Sequence, residues 1–142
     1  MTKLTVADCE LCKSGLEIPI WQDDFCRVIL ANEPDYPGLC RVILQEHIKE
    51  MSDLPPAARS RLMNAVFATE SVLRELLAPD KVNLASLGNA VPHLHWHVIP
   101  RWHNDRHFPK PIWAAPERTA TARPPIDTSR LAQALKKAMQ PC

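Results

Sequence analysis

The chain of 142 residues is poor in glycine, with three, and in aromatic residues, which make up 6%. Because βαβ alternation with glycine-rich turns is not visible, a parallel α/β architecture is not indicated. The formal charge is only +1, so the chain lacks the positive field with which proteins bind nucleic acid non-specifically. No apolar run approaches the roughly 20 residues that span a bilayer, so we expect no membrane partner.

The cysteines and the N-terminus indicate a cytoplasmic protein. Five cysteines are an odd number, and the chain is long enough to bury a core without disulfides. We therefore expect free or metal-bound thiols in a reducing compartment. The N-terminus reaches Asp8 before any apolar segment forms, so no signal peptide is expected.

Hydrophobic patterning predicts four strands and two helices. One helix follows Pro55 and Pro56 and ends before Pro79, and its apolar residues recur on one face at Leu62, Val66, Leu73 and Leu77. A shorter helix is expected over 127–139, with Asp127 as its N-cap. Strands are predicted over 25–31, 39–45, 81–87 and 93–99. The pattern favours a single α+β domain over 1–142 with a mainly antiparallel sheet. The central part of this domain is expected to span about 9–101.

A proline-rich segment without periodicity, residues 102–126, precedes the last helix. We expect it to wrap over the body or to reach a partner subunit. Its histidines, His103 and His107, are expected to be solvated, and so is the preceding Arg101. Trp113 is expected to pack in the core or at an interface.

The most informative segment is His93-Leu94-His95-Trp96-His97-Val98-Ile99. On a strand, side chains alternate between faces, so the three histidines are expected to share one face and the apolar residues the other. Three explanations compete. The alternation is due to chance, the three imidazoles bind a catalytic metal, or one imidazole acts as a nucleophile while the others assist it.

The pair Cys9-x-x-Cys12 is ambiguous by itself. It suits half of a zinc site, a redox pair or unpaired thiols. A thioredoxin-like role needs a βαβ context, which the sequence does not show. A four-ligand zinc site needs two histidines from elsewhere in the chain.

The alternating histidines, together with the preceding Gly88-Asn89-Ala90-Val91 and the hairpin and helix signals before it, resemble the signature of the histidine triad (HIT) family. The resemblance covers 9–101 in order, and the segment 105–113 is similar to the bacterial hydrolase branch. It implies a small α+β subunit, usually a homodimer, that cleaves a bond at the α-phosphate of a nucleotide. The nucleotide would be a phosphoramidate or a dinucleoside polyphosphate.

The resemblance also implies roles for individual residues. His95 would attack phosphorus and form a nucleotidyl-histidine intermediate, the backbone carbonyl of His93 would hold its other ring nitrogen, and His97 would assist the leaving group. Asn83, Asn89 and Ala90 would lie at the phosphate. No cofactor would be needed for the chemical step.

Three positions depart from the family pattern. Ala90 replaces a serine or threonine that donates to the phosphate, and removing one such donor costs about 2.7–4 kcal/mol in other enzymes. Ala31 stands where the family often has an aspartate or asparagine that binds the ribose, and Asn32 is adjacent to it. Leu39 stands where a histidine is common. The phosphate chemistry is therefore better supported than ribose recognition.

Some relatives hold a structural zinc through such a cysteine pair, a histidine before the helix and the first histidine of the triad. The corresponding residues here are Cys9, Cys12, His47 and His93. Two other functions stay open at this point: a non-catalytic nucleotide-binding adaptor, and a metal-dependent hydrolase that uses the triad as ligands.

Overall fold

A computed structural model describes residues 5–13 and 17–140, and Cys142 lies outside them. A five-stranded antiparallel sheet has the order β1-β2-β3-β5-β4. Its strands are β1 (Trp21–Gln22), β2 (Cys26–Leu30), β3 (Cys40–Leu44), β4 (Lys81–Ala85) and β5 (His95–Arg101). A 3-10 turn at Met51–Asp53 leads into helix α1 (Pro56–Leu77), and helix α2 (Thr128–Ala138) follows the proline-rich segment. This is the predicted α+β architecture with two helices.

The helices begin and end where the sequence predicts. Pro56 is the first residue of α1, where a missing N–H costs nothing. The helix ends at Leu77 and is followed by Ala78, which adopts a left-handed conformation before Pro79. The Asp127 carboxylate accepts hydrogen bonds from the backbone N–H groups of Ser129 and Arg130, so it caps α2. No helix of the described part of the chain is long and apolar enough to cross a membrane.

One face of the sheet packs against both helices. Every second residue of each strand points to that face, and the helices contribute apolar side chains to the same core. Among its fully buried members are Val28, Cys40, Val42, Leu62, Val66, Leu73, Val98, Leu131 and Leu135. Burial raises the pKa of the Cys40 thiol to about 12, so this cysteine behaves as a small apolar residue.

The other face of the sheet is covered by two non-helical segments. The N-terminal segment contributes Cys9 and Leu11, which pack on Ile29 and Ile43. The proline-rich segment contributes Ile112, which packs against a second buried cluster of Ala31, Tyr36, Leu39 and Ile99. Of the two expectations for the 102–126 segment, the described residues therefore show that it wraps over the body.

Gly38 closes the connection between β2 and β3. Its φ of +95° is a conformation that side chains disfavour, and a Cβ there would lie 2.5 Å from Leu77 Cδ1 at the end of α1. The glycine therefore serves both the turn and the close approach of the helix.

Strand β5 differs from its prediction at both ends. It begins at His95 rather than His93, and it continues through Pro100 to Arg101. Beyond Val98 it pairs only with β4, so Pro100 lies where the ladder has a single partner strand. This shift of two residues changes the position of His93 and Arg101, as described below.

Candidate active site and metal-binding cluster

His95 and His97 lie on the sheet face opposite the helices. Their rings are 5.1 Å apart between centroids. The predicted alternation is correct for this part of the segment, because Leu94 and Val98 point into the helix-side core. His97 is buried and His95 is half-buried.

The expected row of three imidazoles along one strand is found only for His95 and His97, because His93 lies outside β5. His93 precedes the strand, and its side chain turns toward the N-terminal segment. Its Nε2 lies 2.6 Å from the carbonyl oxygen of Leu44, and its Nδ1 lies 3.5 Å from Cys9 Sγ. Both ring nitrogens are thus engaged away from His95 and His97, so the triad does not form a three-imidazole metal site.

The backbone of His93 nevertheless contacts His95. The carbonyl oxygen of His93 lies 2.7 Å from His95 Nδ1. A carbonyl oxygen only accepts hydrogen bonds, so Nδ1 carries the proton and donates it. In the neutral ring this leaves the lone pair on Nε2, which is the tautomer that a nucleophilic imidazole needs.

The surroundings of His97 keep its ring neutral. Burial, together with the nearby His95 and Arg41, lowers the pKa of His97 to about 4. The indole ring of Trp113 packs edge-on against it, with 5.0 Å between centroids. The proline-rich segment therefore closes one side of this histidine, a contact that the sequence did not predict.

Asn83 is held by a buried ion pair. Its Oδ1 accepts a hydrogen bond of 2.7 Å from Arg101 Nη1, so its Nδ2 group is left as a donor. Arg101 Nε in turn lies 2.8 Å from Asp105 Oδ2. Asn83 lines a cavity of about 750 Å³ with Trp113 and with Ala85, the residue paired to His97 in the sheet.

The expectations of solvated Arg101 and His107 are wrong. Arg101 is 2% exposed, and His107 is buried with its Nδ1 2.6 Å from the hydroxyl of Tyr36. Extending the alternation of the histidines by two more positions would have placed Arg101 on the site face. His103, by contrast, is exposed, as expected.

The loop before the triad is close to His95 only in part. Ser86, Leu87 and Gly88 line a cavity of about 420 Å³ together with His95. Asn89 and Ala90 are exposed, and Ala90 lines a neighbouring cavity with Cys9 and His47. Asn32 is also exposed and lines a cavity near Ile126, in which no triad residue takes part, so the structure does not bring it to the histidines.

Four residues predicted as metal ligands do come together. One donor atom from each of Cys9, Cys12, His47 and His93 lies within 4.8 Å of all the others. Cys12 Sγ is 3.3 Å from His47 Nδ1 and 3.4 Å from His93 Nδ1, and the two Nδ1 atoms are 3.2 Å apart. Tetrahedral zinc with ligand distances of about 2.0–2.3 Å separates its ligands by roughly 3.3–3.8 Å.

The donor chemistry also fits zinc. Two thiols and two imidazoles form a closed set of four ligands, the kind that structural zinc sites use. The Leu44 carbonyl accepts from His93 Nε2, which leaves the Nδ1 lone pair for a metal and orients the ring. This group could bind a metal ion without leaving a coordination position open for substrate.

Comparison with known proteins finds curated relatives that act on nucleotides, by their names. "Adenylylsulfatase HINT3" of Arabidopsis thaliana is 26% identical over 107 residues, which are 69% of this chain and 54% of that protein. "Bis(5'-nucleosyl)-tetraphosphatase [asymmetrical]" of Schizosaccharomyces pombe is 30% identical over 74 residues, 49% of this chain and 41% of that protein. The chain thus spans about half the length of the curated relatives it matches.

The fold has close counterparts among solved structures. A histidine triad protein from Marinobacter aquaeolei VT8 superposes with a TM-score of 0.71 at 27% identity, covering 85% of this chain and 90% of that one. The family model described as HIT domain matches residues 17–104, more than half of the chain and all of the sheet. The protein therefore belongs to the histidine triad (HIT) family.

Proposed function

We propose that the protein hydrolyses a bond at the α-phosphate of a nucleotide, with His95 as the nucleophile. The observation that carries this proposal is the 2.7 Å contact between His95 Nδ1 and the His93 carbonyl, which leaves Nε2 free to attack. The two curated relatives, whose names describe an adenylylsulfatase and a dinucleoside tetraphosphatase, support a nucleotide substrate.

The reaction proceeds in two displacements. Nε2 of His95 forms a bond to phosphorus while the bond from phosphorus to the leaving group breaks, which gives a nucleotidyl-histidine intermediate. Water then attacks phosphorus while the bond from phosphorus to Nε2 breaks, which returns His95 to its neutral form, and the proton lost by the water passes to the solvent. His97 and the Nδ2 group of Asn83 donate hydrogen bonds to the phosphoryl group, and His97 also assists the leaving group. The backbone N–H groups of the loop at Asn89 and Ala90 replace the hydroxyl donor that Ala90 lacks. No cofactor takes part in these steps.

The test follows AMP release from diadenosine tetraphosphate and from adenosine 5′-phosphoramidate after the protein has been treated with a chelator. His95→Ala should abolish release from both compounds. The matched control is His103→Ala, which removes an exposed histidine and should leave the rates unchanged. Tight binding of AMP without any turnover in the unsubstituted protein would favour a nucleotide-binding adaptor instead.

We further propose that Cys9, Cys12, His47 and His93 hold a structural zinc ion. When bound, the metal supplies a cross-link between the N-terminal segment and the sheet. Elemental analysis should give one zinc per chain, and the double variant Cys9→Ser and Cys12→Ser should lose it. The double variant Cys26→Ser and Cys40→Ser alters two buried thiols of the helix-side core and should keep the metal. The four cysteines of the described residues, two of which are the proposed zinc ligands, are unpaired, and this favours a reducing compartment such as the cytoplasm.

A homodimer through β4 is the assembly that the described surface favours. Within the described sheet β4 pairs only with β5, so its outer edge is open. The large apolar side chains of Phe67 on α1 and Leu87 after β4 are 51% and 54% exposed. Sedimentation should give twice the monomer mass, and Phe67→Glu should shift the protein toward monomer.

We also propose that 1–142 forms one domain. The support is local: α2 packs on α1, and the 102–126 segment packs on the sheet through Ile112. Limited proteolysis should leave the described parts of both helices and the sheet in one resistant fragment.

A further inference from the structure

Besides Arg101, the site contains a second arginine, Arg41, to which neither the sequence nor the family pattern assigned a role. Arg41 of β3 is directly paired with His97 of β5, while its neighbour on the same face, Ile43, is paired with His95. The alternation of β3 therefore places Arg41 on the face of the two histidines. Its charge is among the causes of the low pKa of His97.

Among the described residues, the neighbours of Arg41 on the sheet carry no negative charge. On its own strand the same-face neighbours are Leu39 and Ile43, and on β2 the paired residue is Ile29. All three are buried and apolar. Arg41 takes part in no ion pair with the residues that the structure describes, and its Nε atom is buried without a hydrogen-bond partner among them.

Arg41 is half-buried, and a guanidinium nitrogen that is buried without a hydrogen-bond partner costs free energy and calls for an explanation. Arginine is the side chain best suited to hold phosphate or sulfate, because its planar fork donates two parallel hydrogen bonds. The missing partner of Arg41 is therefore expected to be an anion that arrives with the substrate.

We propose that Arg41 binds the anionic leaving group next to the α-phosphate, so that the preferred substrates are nucleotide anhydrides with phosphate or sulfate rather than nucleoside phosphoramidates. This inference rests on the proposed function of His95. The placement supports it, because Arg41 lies beside His97, the histidine assigned to the leaving group, and not beside the nucleophile.

The chemistry of the first step depends on the leaving group. With an anhydride, the bond from His95 Nε2 to phosphorus forms, the bond from phosphorus to the bridging oxygen breaks, and that oxygen keeps the electron pair. Arg41 neutralises the resulting charge, so no proton has to be supplied. With a phosphoramidate, the nitrogen must gain a proton before it can leave. The neighbouring His97 is neutral near pH 7, so it has no imidazolium proton to give.

The test compares kcat/KM for diadenosine tetraphosphate and adenosine 5′-phosphoramidate in four proteins. These are the unsubstituted protein, Arg41→Met, Arg41→Lys and the control Arg130→Gln, which removes one positive charge from the exposed side of α2. Arg41→Met should lower kcat/KM for the tetraphosphate by about 100- to 1,000-fold, the range found when one preorganised donor is removed. Its effect on the phosphoramidate should stay within about 3-fold, Arg41→Lys should lie between, and the control should match the unsubstituted protein. An equal loss for both compounds, or no loss for either, would overturn the proposal.

Two measurements that need no turnover separate this inference from the proposed function. Calorimetric titration with inorganic pyrophosphate should show binding to the unsubstituted protein and to His95→Ala, but at least 10-fold weaker binding to Arg41→Met. Equal binding refutes the role of Arg41 whether or not the protein is a hydrolase. The melting temperature of Arg41→Met should not fall, because a half-buried arginine whose Nε has no hydrogen-bond partner is replaced by an apolar chain of similar length. A large fall would show that Arg41 has a structural partner instead.

Discussion

The most demanding prediction concerns Asp105, the centre of the polar network under the proline-rich segment. Its carboxylate accepts hydrogen bonds from Nε and Nη2 of Arg101, from the Tyr36 hydroxyl, and from the backbone N–H groups of Trp102, His107 and Phe108. Asp105→Ala leaves the guanidinium of Arg101 buried without its carboxylate. Removing one partner of a buried ion pair costs about 3–5 kcal/mol. We expect that loss at pH 7, out of a total stability of about 5–15 kcal/mol.

The pH dependence of that loss gives a second check. Burial opposes ionisation of Asp105, but Arg101 and the backbone donors outweigh it and hold the pKa well below its usual range. A depressed folded-state pKa contributes stability above the ordinary value of about 3.9, and the contribution is lost as the pH falls toward the folded-state value. The difference between the two proteins should therefore be constant above about pH 5 and shrink below about pH 4.

Urea unfolding followed by circular dichroism at pH 7 and at pH 3.5 measures both effects. The control is Asp35→Ala, which breaks the exposed ion pair between Asp35 and Arg106 and should cost no more than about 1 kcal/mol. A loss for Asp105→Ala that does not exceed the loss for the control would refute the reasoning.

Three further predictions address other parts of the molecule. Gly38→Ala should destabilise the protein by about 1–3 kcal/mol in urea unfolding, since the turn needs a positive φ and Leu77 occupies the space of the new Cβ; an unchanged midpoint would contradict this. Asp127→Ala should cost about 0.5–2 kcal/mol by loss of the α2 cap, whereas Asp127→Asn should recover most of it. The folded state holds the pKa of His97 near 4, below the ordinary value of about 6.5, so its contribution is present above pH 6.5 and is lost as the pH falls toward 4. The pH dependence of unfolding between pH 6.5 and 4 should accordingly be flatter in His97→Gln, and an identical slope in the two proteins would count against a buried neutral ring.

Local sequence signals predicted the helices well because the signals are themselves local. Pro56 and Asp127 act on the backbone a few residues away, so the ends of α1 and α2 could be predicted without tertiary information. The two-residue strand β1 has no such signal. Its pairing with β2 joins residues such as Trp21 and Val28, and the pattern within a two-residue strand does not predict such a pairing.

The site was predictable only where the family pattern supplied pairings that are distant in sequence. The convergence of Cys9 with His93 joins residues 84 positions apart, and spacing alone left it open. Site roles for Arg41 and Arg101 were not predicted for another reason, because a single arginine in a sequence is most often a solvated surface residue. Only their strand positions beside His97 and Asn83 show otherwise.

His93 makes two contacts with different parts of the same residue. Its side chain belongs to the cysteine and histidine cluster, whereas its main-chain carbonyl contacts His95. A substitution at position 93 removes the ring but keeps the carbonyl, since every amino acid has one. An alanine substitution at this position therefore reports the contribution of the ring to the cysteine and histidine cluster. It does not report the contribution of the carbonyl to the orientation of His95. The two properties are genetically separable, and a HIT chain can lose its cysteines while retaining the backbone geometry that selects the tautomer of its nucleophile.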